Sequence, residues 1–373
     1  MALTLALYVM SHDTPALETL GWNPVLAKAF IIFSDKNLIP ARVVAEHRSA
    51  CEVVCAAGSF LAEVSGLFRR AAKSKADFPA VGDWAALSFE PRAKRQTIQA
   101  LLPRSSKLSR RDPGGEEEQV IAANIDAVFI VQSLDGNYNL NRLERYLAAV
   151  TAGGASAVVL LNKADLDPDA ALKADEVRSM SSGAPVLPLD SINKTGYDAL
   201  NALLTPGRAV VLAGSSGSGK STIINNLMGA ELQRTASVRE EDARGRHTTT
   251  GRKLFILPGS GALLIDTPGM RGLELWKDAG AADGTFDDIR ALAERCRFGN
   301  CSHSSEPDCS VREALEAGTL PRAHYENYLK LRKEAASLKT KTDHDERLKR
   351  KGRADNSGNT LKDASRRRQN PLL

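Results

Sequence analysis

Short runs of alternating apolar and polar residues fill the chain between Arg42 and Leu102 and predict β-strands. The runs are Arg42–Ala45, Cys51–Cys55, Phe60–Val64, Trp84–Leu87 and Thr97–Leu101, separated by turn residues such as Gly58, Gly66 and Gly82-Asp83. Five short strands at this spacing suit a small barrel, of which the OB-fold is the five-stranded type. Such barrels serve as nucleic-acid platforms or as purely structural units, and the residues alone leave both open. Cys51 and Cys55 fall inside one of the runs and are expected in the barrel core.

From Arg104 to Glu118 the pattern breaks into basic residues, Pro113-Gly114-Gly115 and an acidic triplet, which predicts an exposed linker. A different rhythm follows. Ala127–Val131 and Ala157–Leu161 are continuous apolar strands, and Leu140–Val150 between them has helical periodicity. Buried strands alternating with helices predict a parallel sheet covered on both faces. The alternation continues through Pro185–Leu189, a helix near Tyr197–Leu204, and the strand Arg208–Ala213. Beyond Gly269 it stops, and Arg322–Leu338 reads as a helix. The domain limits expected on this basis are 1–115 for the barrel and linker, 116–275 for the α/β domain, 276–338 for a third domain, and 339–373 for a basic, unstructured tail.

Composition narrows the setting. The 373 residues exceed what one core organises, and 43% hydrophobic with 25% charged residues is an ordinary globular balance. No apolar run reaches membrane length, and the apolar stretch Met1–Met10 has no basic residue before Lys28, so no membrane association is expected and a cytoplasmic location is. The net charge is +5, but from Lys330 to Leu373 fourteen Lys/Arg stand against six Asp/Glu. A basic tail on a mildly acidic body fits a polyanionic partner or a merely solvated terminus.

Gly214-Ser215-Ser216-Gly217-Ser218-Gly219-Lys220-Ser221 follows a predicted strand and precedes the helical run Thr222–Met228. Its glycines let backbone N–H groups curl around phosphate oxygens, Lys220 can reach the terminal phosphates, and the Ser221 hydroxyl can ligate Mg²⁺. Upstream, Asn162-Lys163-Ala164-Asp165 ends a buried strand, where the Asp165 carboxylate can accept the paired N–H donors of guanine that adenine does not present. The base-reading element ordinarily follows the phosphate loop. Here it precedes it, so the order points to a circularly permuted P-loop GTPase core binding GTP and GDP.

Asp266-Thr267-Pro268-Gly269 ends another apolar strand, with Asp266 placed for magnesium and the Gly269 N–H for the γ-phosphate. The first switch falls in Asp242–Thr250, where one of three threonines, carried here as Thr249, would complete the magnesium shell. Met270 stands where many GTPases have a glutamine and cannot orient water, which implies slow intrinsic hydrolysis. His247 is the candidate to position water, or else it shapes the switch. Cys296, Cys301, His303 and Cys309 supply three thiolates and an imidazole within fourteen positions, the donor set of a closed structural zinc site.

The order Asn-Lys-x-Asp, phosphate loop, Gly245-Arg246-His247-Thr248-Thr249-Thr250, Asp-x-Pro-Gly and Cys-x4-Cys-x-His-x5-Cys resembles the ribosome small-subunit-dependent GTPase A family. Asp77–Trp84, Leu102–Ser105 and Glu118–Asp126 extend the likeness to about residues 20–335. It implies an N-terminal OB-fold barrel, a permuted GTPase domain and a mainly helical C-terminal zinc domain, acting in late maturation of the bacterial small ribosomal subunit; separately, the chain is expected to be a monomer. It also implies contact with 16S ribosomal RNA and subunit-stimulated GTP hydrolysis. By motif match, Asn162, Lys163 and Asp165 read guanine, Gly214 to Thr222 hold phosphates and Mg²⁺, and Cys296, Cys301, His303 and Cys309 bind zinc. Asp190-Ser191 departs from the family's base-contacting Ser-Ala loop. Two other readings stay in play: an RNA-binding scaffold whose nucleotide site reports occupancy, and an ATPase, which Asn162–Asp165 opposes.

Overall fold

In the computed structural model, residues 16–34, 36–47, 49–111, 117–229, 251–267, 286–322, 324–330 and 332–333 are described. His247, Thr249, Gly269, Met270 and the basic tail lie outside them.

After the helix α1 (Pro24–Ser34), five strands close the N-terminal barrel: β1 (Leu38–Glu46), β2 (Cys51–Cys55), β3 (Gly58–Val64), β4 (Trp84–Ser88) and β5 (Gln96–Leu101), with the short helix α2 (Gly66–Ala71) after β3. β1 pairs antiparallel with both β2 and β4, and β5 joins β3 to β4, so no barrel edge is left open. Cys51 and Cys55 pack inside with Val43, Val53, Ala62, Leu87 and Ile98. All five strand runs expected from the sequence are present.

β1 does not show the simple alternation of a half-buried strand, because Ala41 to Ala45 are all buried. Ala41 and Val43 face the barrel core, while Val44 belongs to the cluster under the α/β sheet. Arg42 points the same outward way and is 2% exposed. Its guanidinium donates to the carbonyls of Leu20 and, at 3.2 Å, Asn124, and lies 5.4 Å from the Trp84 ring centre. Burial lowers its pKa to about 10, against the pull of Asp126 and Asp83. One buried cation thus ties the N-terminal segment and the barrel to the loop before the second domain.

Within the stretch read as an exposed linker, the described residues 104–111 and 117–118 are held in ordered structure. Arg104 forks onto the fully buried Asp83, 2.8 and 2.6 Å away, and donates to the carbonyls of Ala76 and Phe78. β6 (Lys107–Arg111) and β7 (Glu118–Ala123) then form an antiparallel ribbon. Leu108 and Ile121 bury its inner side; the sparse apolar content of β6 hid a strand whose polar residues Lys107, Ser109 and Arg110 are half-buried.

The second sheet runs β10-β9-β8-β11-β13-β12, with β8 (Ala127–Ser133), β9 (Ser156–Asn162), β10 (Val186–Leu189), β11 (Ala209–Gly214), β12 (Lys253–Ile256) and β13 (Leu263–Asp266). All pairs are parallel except β12 with β13. One face carries α3 (Leu140–Ala152) and α4 (Ala170–Met180), the other α5 (Tyr197–Ala202) and α6 (Lys220–Met228). Alternate residues of β8, Val128 and Ile130 against Phe129 and Val131, go to the two faces. That two-sided burial makes the strand continuously apolar. β12 also pairs with β1 at Ala45 and Lys253, reinforced by the Arg252–Glu46 ion pair at 2.9 Å, so barrel and α/β sheet are hydrogen-bonded into one.

The C-terminal described segment holds α7 (Asp287–Ala293), α8 (Ser310–Glu316) and the helical residues 324–330. Phe286, Ile289, Val311, Ala314, Leu320 and Tyr325 form its small core, to which α3 contributes Ala148.

Candidate nucleotide site and metal cluster

Chain order in the α/β sheet explains where a ligand fits. The chain passes from β8 outward to β9 and β10, then returns to place β11 on the other side of β8. Such a reversal opens a crevice beyond the carboxyl ends of the two central strands. Gly214–Lys220 leaves β11 into this crevice, and the loop 134–139 leaves β8 beside it.

The phosphate loop needs its glycines. Gly219 has φ +98°, and a Cβ there would lie 2.0 Å from Asn162 Nδ2; at Gly214 it would lie 2.3 Å from Val131 O. The Lys220 ammonium spans the loop, donating to the carbonyls of Gly214 at 2.8 Å and Ser215 at 2.5 Å. Ser218 is fully buried and donates its hydroxyl to Ser215 O at 3.0 Å. Ser221 and Thr222 stand in the first turn of α6, where N–H groups and the helix dipole favour an anion.

Asn162 joins the base-reading element to the phosphate loop. Buried at the end of β9, it donates from Nδ2 to Ser218 O at 2.9 Å and accepts the Ser191 hydroxyl at 2.6 Å on Oδ1. Lys163 takes the left-handed conformation, φ 60°, and pairs with Asp135 at 2.6 Å. Burial opposes the Asp135 charge, but Lys163, the Ser133 hydroxyl and the Asn137 N–H outweigh it and hold the carboxyl below the ordinary range. Ala164 and Asp165 begin a 3-10 turn that leaves Asp165 exposed at the crevice. Asp266 ends β13, two strands from β8, and Thr267 follows it.

The departure at Asp190-Ser191 has a structural reading. Asp190 organises its own turn by accepting from Ile192 N, Asn193 N and Asn193 Nδ2. Ser191 is thereby turned inward to Asn162, and its carbonyl accepts Asn226 Nδ2 from α6 at 2.7 Å. Asn137 and Asp135 are the polar residues of this site that motif reading missed. Their signal was positional: they follow the carboxyl end of β8, beside the base-reading strand.

Cys296, Cys301, His303 and Cys309 converge, their donor atoms all within 4.8 Å of one another. Cys296 Sγ is 3.9 Å from Cys309 Sγ and 3.6 Å from His303 Nδ1, and Cys309 Sγ is 3.4 Å from that nitrogen. A tetrahedral zinc with Zn–S near 2.3 Å and Zn–N near 2.0 Å requires edges of about 3.5 to 3.8 Å, so the donors fit that ion through Nδ1. Glu306 braces the loop between ligands, accepting from Ser302 Oγ and the N–H groups of Ser302, Ser304 and Ser305, which hold its carboxyl far below the usual range. Cys309 also stands immediately before α8, so one ligand fixes the start of a helix.

Comparison with known proteins agrees with this geometry. The RsgA GTPase family model matches residues 101–276. "Small ribosomal subunit biogenesis GTPase RsgA" of Opitutus terrae is 44% identical over 88% of this chain and 92% of its own length. The crystal structure of YjeQ from Thermotoga maritima superposes with a TM-score of 0.59 at 25% identity, covering 80% of this chain and 99% of that one. YloQ, described as a circularly permuted GTPase, superposes at 0.57 with 22% identity, covering 80% and 96%, and supports the fold. The chain belongs to the RsgA GTPase family and is a GTP hydrolase with a circularly permuted core.

Proposed function

We propose that the protein binds the small ribosomal subunit, assists its late maturation, and leaves after a GTP hydrolysis that the subunit accelerates. The observation that carries this is Asn162, which bonds the base-reading strand to Ser218 of the phosphate loop and makes one guanine-nucleotide site from the permuted segments. The named role of its relatives in small-subunit biogenesis supplies the partner.

In this reading Asp165 reads guanine, Asn162 and Lys163 order its pocket, and Gly214 to Thr222 hold the phosphates with Lys220 as the charge-stabilising group. Ser221, Thr249 and Asp266 would hold Mg²⁺, the Gly269 N–H would sense the γ-phosphate, and His247 would position the attacking water. Magnesium, when bound, neutralises the phosphate oxygens. Zinc, when bound by Cys296, Cys301, His303 and Cys309, meets four protein ligands and serves structure, with no position open for chemistry. The domain limits stay at 1–115, 116–275, 276–338 and 339–373, and the protein works as a cytoplasmic monomer. Among the described residues no helix is long and apolar enough to cross a membrane.

The barrel and the basic tail contact 16S ribosomal RNA through its phosphates. Exposed Arg69, Arg70, Arg92, Lys94 and Arg95 give the barrel cationic ends suited to this, and salt should weaken the complex. Co-sedimentation with purified small subunits is the test: binding should be stronger with a non-hydrolysable GTP analogue than with GDP. Equal binding in the two states would contradict the switch, and no binding would contradict the partner. Asp165→Ala should cost about 1–3 kcal/mol of guanine over adenine preference, read by nucleotide competition.

A further inference from the structure

Asn137 lies outside every motif of the nucleotide site, yet it reaches the phosphate loop from the loop between β8 and α3. Its Nδ2 donates to Ser215 Oγ at 2.9 Å and to Ser216 O at 3.2 Å. Its Oδ1 accepts Arg142 Nη2 at 3.0 Å, and since a guanidinium only donates, the amide orientation follows from its partners. The backbone of Asn137 is held as well. Its N–H donates to Asp135 Oδ1 at 3.0 Å, and its carbonyl accepts Gln132 Nε2 at 2.9 Å and Arg142 Nη2. Asp135 in turn pairs with Lys163, so the same short loop touches the phosphate loop and the base-reading element.

Arg142 sits in the first turn of α3, where its N–H is capped by Asn139 Oδ1 at 2.8 Å. Two residues on, Glu144 is buried and turned toward the C-terminal module. It accepts His324 Nδ1 at 2.5 Å and Asn327 Nδ2, while His324 Nε2 lies 3.2 Å from Asp288 Oδ2 on α7. Ala148, the next position on that face, enters the core of the zinc-ligand module beside Phe286 and Cys309. The start of α3 therefore holds the phosphate loop and its middle holds the module. Arg142 and Glu144 are separated by about 3 Å of helix rise, with no flexible joint between them.

We infer that Asn137 is a positioning residue for the phosphate loop, and that α3 keeps it in place through the Glu144–His324–Asp288 contact with the zinc-ligand module. Nucleotide retention then depends on how that module is seated. The physical basis is preorganisation: a loop already ordered at Ser215 and Ser216 loses less freedom when phosphates bind, and the gain appears mainly in slower release. A ligand or partner that reseats the module shifts nucleotide affinity, and by reciprocity nucleotide shifts the seating.

The test uses the full-length, zinc-loaded protein and a fluorescent ribose-labelled GDP, with release and association followed by stopped flow. Asn137→Ala removes both loop contacts and is expected to speed release about 5- to 30-fold, with association changed less than about two-fold. Arg142→Lys keeps the charge and the helix but loses the guanidinium bonds to Asn137, and should move release in the same direction. His324→Ala, remote from the nucleotide, should speed release about two- to five-fold and add nothing in the Asn137→Ala background. If Asn137→Ala does not fold, Arg142→Lys decides the first part. Wild-type release rates in the folded variants would overturn the positioning role. An absent His324→Ala effect, or one that multiplies fully with Asn137→Ala, would overturn the α3 link. No ribosomal subunit enters this experiment, so its failure and the failure of the docking reading are separate outcomes.

Discussion

The nucleotide site and the zinc-ligand cluster are built on opposite plans. The cluster draws four donors from fourteen consecutive positions and packs on a small core that is local except for Ala148 and Ala149 of α3. The nucleotide site draws on segments far apart in sequence: Asn162 meets Ser218 across 56 positions and Asn137 meets Ser215 across 78. A cluster of the first kind needs an ion to hold its loop together. A site of the second kind is held by the sheet beneath it and fails when one loop loses its shape.

The largest expected effect separates the two directly. Stripping zinc with a strong chelator, or substituting Cys309→Ser, should unfold the segment around 286–330, because structural zinc sites bind with about 10–16 kcal/mol. Zinc content and tryptic protection of that segment read the loss. The permuted core should still bind GDP, with faster release; complete loss of GDP binding would erase the contrast. Gly219→Ala should do the reverse. It places a Cβ on Asn162 Nδ2 at a left-handed φ, and should cost roughly 3 kcal/mol or more of nucleotide affinity while zinc content stays at one per chain.

His324 tests the seam between the regions. Burial disfavours its charge, but Asp288 and Glu144 outweigh this and lift the imidazole to about 9. Because the folded value exceeds the unfolded one, the stabilisation is complete below about pH 6.5 and is lost as pH rises through about 9. The contribution is about 3 kcal/mol at most. Thermal unfolding between pH 6 and 10 should show this loss in the wild type and not in His324→Ala. The smallest effect belongs to Arg297→Ala, whose pair with Asp308 is 2.8 Å long but over 60% exposed on both sides; it should change stability by less than about 0.5 kcal/mol.

The same contrast governs what could be read from the chain. The cluster and the phosphate loop are contiguous motifs whose chemistry is written in residue type and spacing, and the barrel strands show in their alternation. β1 is legible as a strand, but its five buried positions in a row make sense only once β12 and the α/β core cover its outer face. The ribbon of β6 and β7 reads as a linker because one side of it is polar and its midpoint is rich in glycine. Asn137 carries no local signal, since its partners are a helix turn and a loop 78 positions away. Switch residues His247, Thr249, Gly269 and Met270 fall outside the described residues, so their roles rest on motif position.

Permutation also places the Asp266–Gly269 segment directly before the zinc-ligand module in sequence, a second connection beside α3 between nucleotide and module. The α3 connection acts on nucleotide release without a partner, whereas the subunit-stimulated switch shows only in turnover. The most direct measurement is steady-state GTP and ATP hydrolysis by the full-length protein, with and without purified small ribosomal subunits. The expected result is slow GTP turnover that rises at least about tenfold with subunits, no comparable ATP turnover, and loss of the rise in Lys220→Ala. GTP turnover indifferent to the subunit, or equal stimulation with ATP, would contradict a subunit-stimulated guanine-nucleotide switch.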